Sequence, residues 1–332
     1  MTKFLIAGLG SIGRRHLRNL IALGENDVVL LRSHRSTLPD EELAGLTVET
    51  DLAQVLERHR PAAVIVSNPT ALHLDVAIPA AEAGCAILLE KPISHSLDRL
   101  EQLEGAVSRT NARVLVGFQL RYHPCLVLAR DFITQGRLGR LLAARVHFGE
   151  YLPAWHPWED YRQSYAARAD LGGGVLLTQC HSLDYLPWLI GRVESIWAFL
   201  GKLSELDLDV EDSAEIGVRF ENGCLGSLHL DYAQQPASHR VEISGTRGSL
   251  LCDLLAGTTR FYDVATKKWE ESVLPHTWER NVMFIEEMAH FLAVVKGEAE
   301  PACTLEDGMR VMRLIAGIQA SNSSGRMVSP GS

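Results

Sequence analysis

The sequence predicts a two-domain α/β protein, with a parallel, helix-clad sheet first and then an α/β domain on a large, mostly antiparallel sheet. Three observations carry this expectation. The chain has 332 residues, a little over twice the ~150 that loosely guides one domain. Its apolar content of 46% is enough for a substantial core at that length. The pattern of apolar runs also changes near residue 120, from short runs alternating with helical stretches to strands that crowd together. The division is therefore expected at 1–120 and 121–332.

In the first part, apolar runs stand at Phe4–Ala7, Val28–Leu31, Ala63–Val66, 86–89 and 114–116. None alternates strictly, so both faces of each strand must be covered, as in a parallel sheet between helices. Helical spacing at 13–23, 72–83 and 97–107 supplies the covers, and Asp51 is placed to cap another helix. In the second part, helices are predicted at 124–133 and 176–190. Strands follow the spacing at 141–148, 193–200, 214–220, 224–230 and 240–244. Glu221-Asn222-Gly223 marks a compact turn between two of them. Helices at 280–295 and 306–319 close the chain, and the polar tail at 321–325 is expected to be loose.

Charge and composition exclude several functions. With 32 Lys and Arg against 41 Asp and Glu, the formal net charge is −9 at pH 7 and no basic run gathers the positive residues. Nucleic-acid binding is not expected, since neutralising phosphates needs a basic patch. The most apolar long stretch, 183–200, contains Asp184, Arg192 and Glu194, so no membrane span is read. The opening apolar run is too short for a signal peptide. Six scattered cysteines show no CxxC or Cys/His ligand spacing. They are expected to be buried free thiols in a cytoplasmic protein, and no metal is expected.

The sharpest motif is Gly8-Leu9-Gly10-Ser11-Ile12-Gly13, directly after the first strand and opening a helix. Gly8 permits the tight turn, Gly10 lets a pyrophosphate approach the backbone, and Gly13 lets helix and strand pack closely. The amides of Ser11 and Ile12 at the helix N-terminus add donors and a positive dipole end. This context predicts a dinucleotide site, mainly for NAD(P). After the second strand, where an acidic residue would select NAD, stand Arg32-Ser33-His34-Arg35. Arg32 and Arg35 either pair with a 2'-phosphate, helped by Ser33, or form a solvated loop face near adenine. NADP is favoured over NAD.

Glu90-Lys91-Pro92 ends the fourth apolar run. Ligands bind outside the carboxyl ends of parallel strands, so Lys91 is placed to donate to a substrate oxygen and stabilise a developing alkoxide. The segment from Gly172-Gly173-Gly174 to Asp184 brings His181 and Asp184 three residues apart, on one helical face. His181 is a candidate proton acceptor. Asp184 either orients its imidazole or binds a substrate hydroxyl.

Together with Asn68-Pro69-Thr70 and His73, these stations resemble the Gfo/Idh/MocA oxidoreductase family over nearly the whole chain. The resemblance implies an N-terminal Rossmann NAD(P)-binding domain and a second domain whose broad sheet forms homodimer or homotetramer contacts. It implies that Lys91 is the active-site lysine and His181 the proton acceptor. Asn68, Pro69, Thr70 and His73 would border the dinucleotide, with Glu90 supporting the lysine or approaching the nicotinamide ribose. Arg162 would lie near the cofactor, and Tyr165 or Trp155 near the substrate. Arg121, at the crossover between domains, contacts a substrate anion or fixes the hinge. The aromatic stretch around Trp155 lines a pocket or packs in a core or subunit contact. One departure is Thr178, standing where many relatives place an aspartate before the histidine.

The expected reaction interconverts a secondary alcohol and a ketone on a sugar, nucleotide-sugar or cyclic polyol. Dihydrodiol oxidation, biliverdin reduction and a non-catalytic NAD(P)-binding regulator are the alternatives.

Overall fold

In the computed structural model, residues 2–33, 38 and 41–331 are described, and packing divides the chain into two compact units. The first comprises Met1–Phe118, Asp170–Gly172 and Asn281–Met312, and the second Gln119–Ala169, Gly173–Arg280 and Arg313–Ser332. The sequence-based division at 120/121 lies beside the first of these breaks. The return of Asn281–Met312 to the first unit has no local signature in the sequence.

The first unit is built on a wholly parallel sheet of strands β1 (Phe4–Ala7), β2 (Val28–Leu31), β3 (Thr47–Glu49), β4 (Ala63–Val66), β5 (Ala86–Glu90) and β6 (Val114–Gly117). Their spatial order is β3-β2-β1-β4-β5-β6, the doubly wound arrangement of a Rossmann fold. Every residue of β1, β4 and β6 is buried, the physical counterpart of their unalternating apolar runs. Helices α1 (Ser11–Ala22), α2 (Leu52–His59), α3 (His73–Glu82) and α4 (Leu100–Thr110) connect the strands. Asp51 caps α2 by accepting from the Gln54 amide at 3.1 Å. Strand β3 is short and largely exposed, which is why no apolar run announces it.

The second unit opens with α5 (Pro124–Thr134) and β7 (Leu141–Gly149), followed by α6 (Val175–Thr178) and α7 (His181–Ile190). The single helix predicted over 176–190 is thus two, broken at Gln179 and Cys180. Strands β8 (Val193–Gly201), β9 (Ser213–Phe220), β10 (Leu225–Asp231), β11 (Ser238–Gly245), β12 (Gly248–Asp253), β13 (Thr258–Asp263) and β14 (Lys268–Val273) complete the sheet. Its order is β14-β13-β12-β11-β7-β10-β9-β8. Neighbours are antiparallel except β7 and β10, which run parallel. Strands β12 to β14 were not foreseen. In β14 every residue is exposed and half are charged, a composition that protects a sheet edge but hides it from apolar patterning.

Two helices close the chain, α8 (Asn281–Lys296) and α9 (Leu305–Ser324). Within the first unit, the Arg15 guanidinium lies 4.4 Å over the Phe284 ring of α8, and the Val116 amide donates to the Cys303 carbonyl. The tail at 321–325 is not loose as expected, since α9 continues to Ser324. Ser321 is buried, donating to the Arg326 carbonyl at 2.7 Å and accepting from the Ala198 amide at 3.1 Å. Small hydroxyl side chains here satisfy backbone groups that would otherwise need water. All six cysteines are free and buried. Among the described residues no helix is long and apolar enough to cross a membrane.

Candidate active site

Parallel pairing puts the ends of β1, β4 and β5 on one edge of the first unit's sheet, so Gly8, Asn68 and Lys91 leave it side by side. Gly8 has φ +93°, and a Cβ there would overlap the Asn68 backbone. A Cβ on Gly13 would overlap the Gly8 carbonyl oxygen, whereas one on Gly10 would meet nothing within 4 Å. The loop is therefore tight where it folds and open where a ligand would approach. Gly10 precedes the first turn of α1 and no side chain caps that turn, which leaves the amides at Ser11 and Ile12 suited to a pyrophosphate.

Beyond β2, Arg32 is buried and its amide donates to Glu49 O at 3.1 Å, while Ser33 is exposed. Arg35 lies outside the described residues. Arg14, which the sequence reading did not single out, is buried and donates to Leu9 O and Leu38 O, each at 3.1 Å.

The loops carrying Asn68-Pro69-Thr70 and Lys91-Pro92 are braced by His73. Its ring nitrogens lie 2.8 Å from Pro92 O and 2.9 Å from Asn68 O. Burial pushes the imidazole down to about 4, so a neutral ring donates to one carbonyl at a time. Thr70 is buried, and a Cβ on Gly172 would press on Thr70 and His95 at 2.9 Å.

Glu90 is buried behind Lys91. Its Oε1 is 2.8 Å from His16 Nε2, and its Oε2 accepts from the Lys91 amide at 3.2 Å. Burial raises this carboxyl's pKa, but the His16 hydrogen bond and nearby positive charge outweigh it and hold Glu90 below its ordinary value. Glu287 of α8 approaches the same pair. Full burial, reinforced by the Glu90 charge, pushes Glu287 well above the ordinary carboxylate value and favours its neutral acid form. Neither His16 nor Glu287 carried a motif signal. They meet Glu90 only because α1, β5 and α8 pack together.

In the second unit, the glycines before His181 are set by close approach. A Cβ on Gly173 would strike the carbonyls of Tyr165 and Ala166, and one on Gly174 the Glu211 carboxylate. Glu211 accepts from the Leu176 amide at 3.1 Å and anchors α6. His181 is buried as the first residue of α7. Thr178 donates to Gly174 O at 2.8 Å and rests against the Tyr232 hydroxyl. The polar group at this position is thus tied to the backbone.

Asp184 and Arg121, read from separate motifs, bind each other. Arg121 Nε donates to Asp184 Oδ2 at 2.9 Å and Nη2 to Oδ1 at 2.6 Å, with both side chains buried. Both carboxylate oxygens of Asp184 are engaged by the guanidinium. Trp155 packs edge-on against Tyr232 at 5.5 Å, and among the described residues its buried Nε1 has no hydrogen-bond partner. Tyr165 is half-buried in a short 3-10 turn. Arg162 is exposed and forks onto Asp160 at 2.9 and 2.7 Å.

Residues 2–118 match the model described as oxidoreductase family, NAD-binding Rossmann fold, and residues 126–251 match the GFO/IDH/MocA C-terminal domain. A myo-inositol dehydrogenase of Streptomyces leeuwenhoekii is 30% identical over 253 residues, 74% of each chain. A solved levoglucosan dehydrogenase, in complex with NADH and levoglucosan, superposes with a TM-score of 0.88 at 21% identity over 100% of both chains. The WlbA dehydrogenase of Bordetella pertussis, in complex with NADH and UDP-GlcNAcA, superposes with a TM-score of 0.83 at 22% identity, covering 100% of this chain and 98% of that one.

Proposed function

Because the chain belongs to the Gfo/Idh/MocA oxidoreductase family, we propose that it oxidises a secondary hydroxyl of a sugar, nucleotide-sugar or cyclic polyol, or reduces the matching ketone. The observation that carries this reading is the shared sheet edge, where the open Gly10 backbone, Asn68 and Lys91 emerge together. Relatives named for myo-inositol, levoglucosan and a UDP-sugar complex support the substrate class.

The residues present fit a dinucleotide. Gly8, Gly10, Gly13 and the amides of Ser11 and Ile12 would hold the pyrophosphate. Asn68, Pro69 and Thr70 would border the nicotinamide half, with His73 fixing their loop. Bound NAD(P) supplies the hydride acceptor or donor. Lys91 holds the reacting oxygen by donating from its ammonium, which favours the alkoxide-like oxygen over the neutral alcohol. Glu90 anchors the start of the Lys91 loop through the backbone hydrogen bond. His181 takes the hydroxyl proton as the carbonyl forms and returns it in the reverse direction.

Arg32 beside the adenosine end supports a preference for NADP over NAD. Substituting Ala there is then expected to weaken NADPH binding more than NADH binding, and equal losses in the two titrations would overturn the preference. The broad sheet of the second unit, with Trp197 and Phe199 exposed on β8, supports association into a homodimer or homotetramer. Light scattering that gives a monomer mass across a wide concentration range would reject it.

The function is tested by a panel of sugars, nucleotide-sugars and inositols followed through NAD(P)H absorbance, then by stopped-flow hydride transfer with the active substrate. Lys91→Met and His181→Asn are each expected to slow hydride transfer by roughly 10² to 10⁴-fold with cofactor affinity retained. Near-wild-type rates in both folded variants would remove these roles.

A further inference from the structure

Across the centre of the second unit's sheet, register sets three polar side chains in a row. His147 of β7 pairs with His229 of β10, and His229 pairs with Glu215 of β9. Their chain neighbours Val146, Phe148, Leu228, Leu230, Ala214 and Ile216 are buried, so strand alternation turns the row to the opposite face. There a cavity of about 510 Å³ opens over it. We propose that His147, His229 and Asp231 form a binding site for one divalent first-row transition cation of the zinc type, tying β7 to β10.

The donor set is two imidazole nitrogens and a carboxylate oxygen, a combination suited to such cations. One ligand atom from each residue lies within 4.8 Å of the other two. His229 Nε2 is 2.9 Å from Asp231 Oδ2, and His229 Nδ1 is 2.6 Å from Glu215 Oε1. Glu215 thus fixes the imidazole from behind and turns Nε2 toward the site, the carboxylate–histidine arrangement that orients metal ligands. Asp231 is held as well. Its Oδ1 accepts from the Ala233 and Gln234 amides at 2.7 and 2.5 Å, leaving Oδ2 for the site. A Cβ at Gly149 would overlap Oδ2, so that glycine makes room for the ligand. Gln234 Oε1, 3.2 Å from His147 Nε2, is in reach as a further oxygen donor.

Charge favours a cation as well. Glu215 and Asp231 place two carboxylates on one imidazole. The arginines lining the cavity face other acids, Arg145 toward Glu242 and Arg240 toward Asp253.

The test is titration of tag-free, chelator-stripped full chain with Zn²⁺ by calorimetry and with Co²⁺ by visible absorption, at mildly alkaline pH where protons compete least. One equivalent per chain is expected, with cobalt bands of low-coordinate N/O character. His147→Gln with His229→Gln should abolish uptake in protein whose circular dichroism spectrum and light-scattering mass match the wild type. Glu215→Gln leaves all three ligands in place and should weaken affinity roughly 10 to 100-fold. No saturable binding in the wild type, or binding unchanged in the double variant, would overturn the proposal.

Discussion

Asp184→Asn isolates the buried pair with Arg121. The side chains are 6% and 3% exposed and share two charge-assisted hydrogen bonds of 2.6 and 2.9 Å. Asparagine keeps the shape but removes the negative charge and turns an N–H donor toward guanidinium donors. The Arg121 charge is then buried with its counter-ion gone. Removing one partner of such a pair costs about 3–5 kcal/mol, whereas replacing both with apolar residues of similar volume is often nearly neutral. The double variant Arg121→Met with Asp184→Leu should therefore recover most of the stability lost in Asp184→Asn. Urea unfolding followed by tryptophan fluorescence measures this, since Trp188 lies 5.8 Å from the Arg121 guanidinium. The transition of the second unit must be fitted separately if the two units unfold apart. A loss below about 1 kcal/mol in Asp184→Asn, with a raised KM, would refute the structural pairing and return Asp184 to the substrate. An apolar double variant no more stable than the single one would refute the coupling argument.

Gly10→Ala should leave thermal stability near wild type yet weaken NADH binding at least about tenfold, because the added methyl occupies only the ligand's approach. Gly8→Ala should instead lower the melting temperature, since it strains a positive φ and overlaps the Asn68 backbone. Differential scanning fluorimetry with and without NADH separates the two. Burial holds His73 and His123 down to about 4 and His239 down to about 3 in the fold, against an ordinary 6.5. The unfolded chain binds more protons between these values, so stability is full above pH 6.5 and falls as pH drops toward 4. The loss is about 3 kcal/mol for His73 and about 5 kcal/mol for His239, whose share continues to fall toward pH 3, and a stability-against-pH curve flat through this window would contradict it. Glu287 has the opposite sign. Its raised value means stability is full below the ordinary carboxylate pKa and declines as pH rises through the folded one. Glu287→Gln should remove that decline and leave the chain more stable than the wild type once pH exceeds the ordinary carboxylate value, read from urea midpoints; a midpoint difference that does not change with pH would contradict it.

The sequence by itself determined what depends on neighbours along the chain. Phe4–Ala7 and Ala63–Val66 are apolar without alternation because both faces are covered, and Asp51 caps α2 through an amide three residues away. Gly8 to Gly13 act within one turn, so their meaning is readable from spacing and from the strand and helix on either side. Only the tertiary structure decided which distant groups meet. Arg121 and Asp184 became one ion pair, His16, Glu90 and Glu287 one buried cluster, and His147, His229 and Asp231 one row set by strand register. It also returned α8 to the first unit and tied Ser321 into the second. Burial and electrostatics act through space, and a local pattern of residues records neither the partner that neutralises a charge nor the strand beside which a histidine will lie.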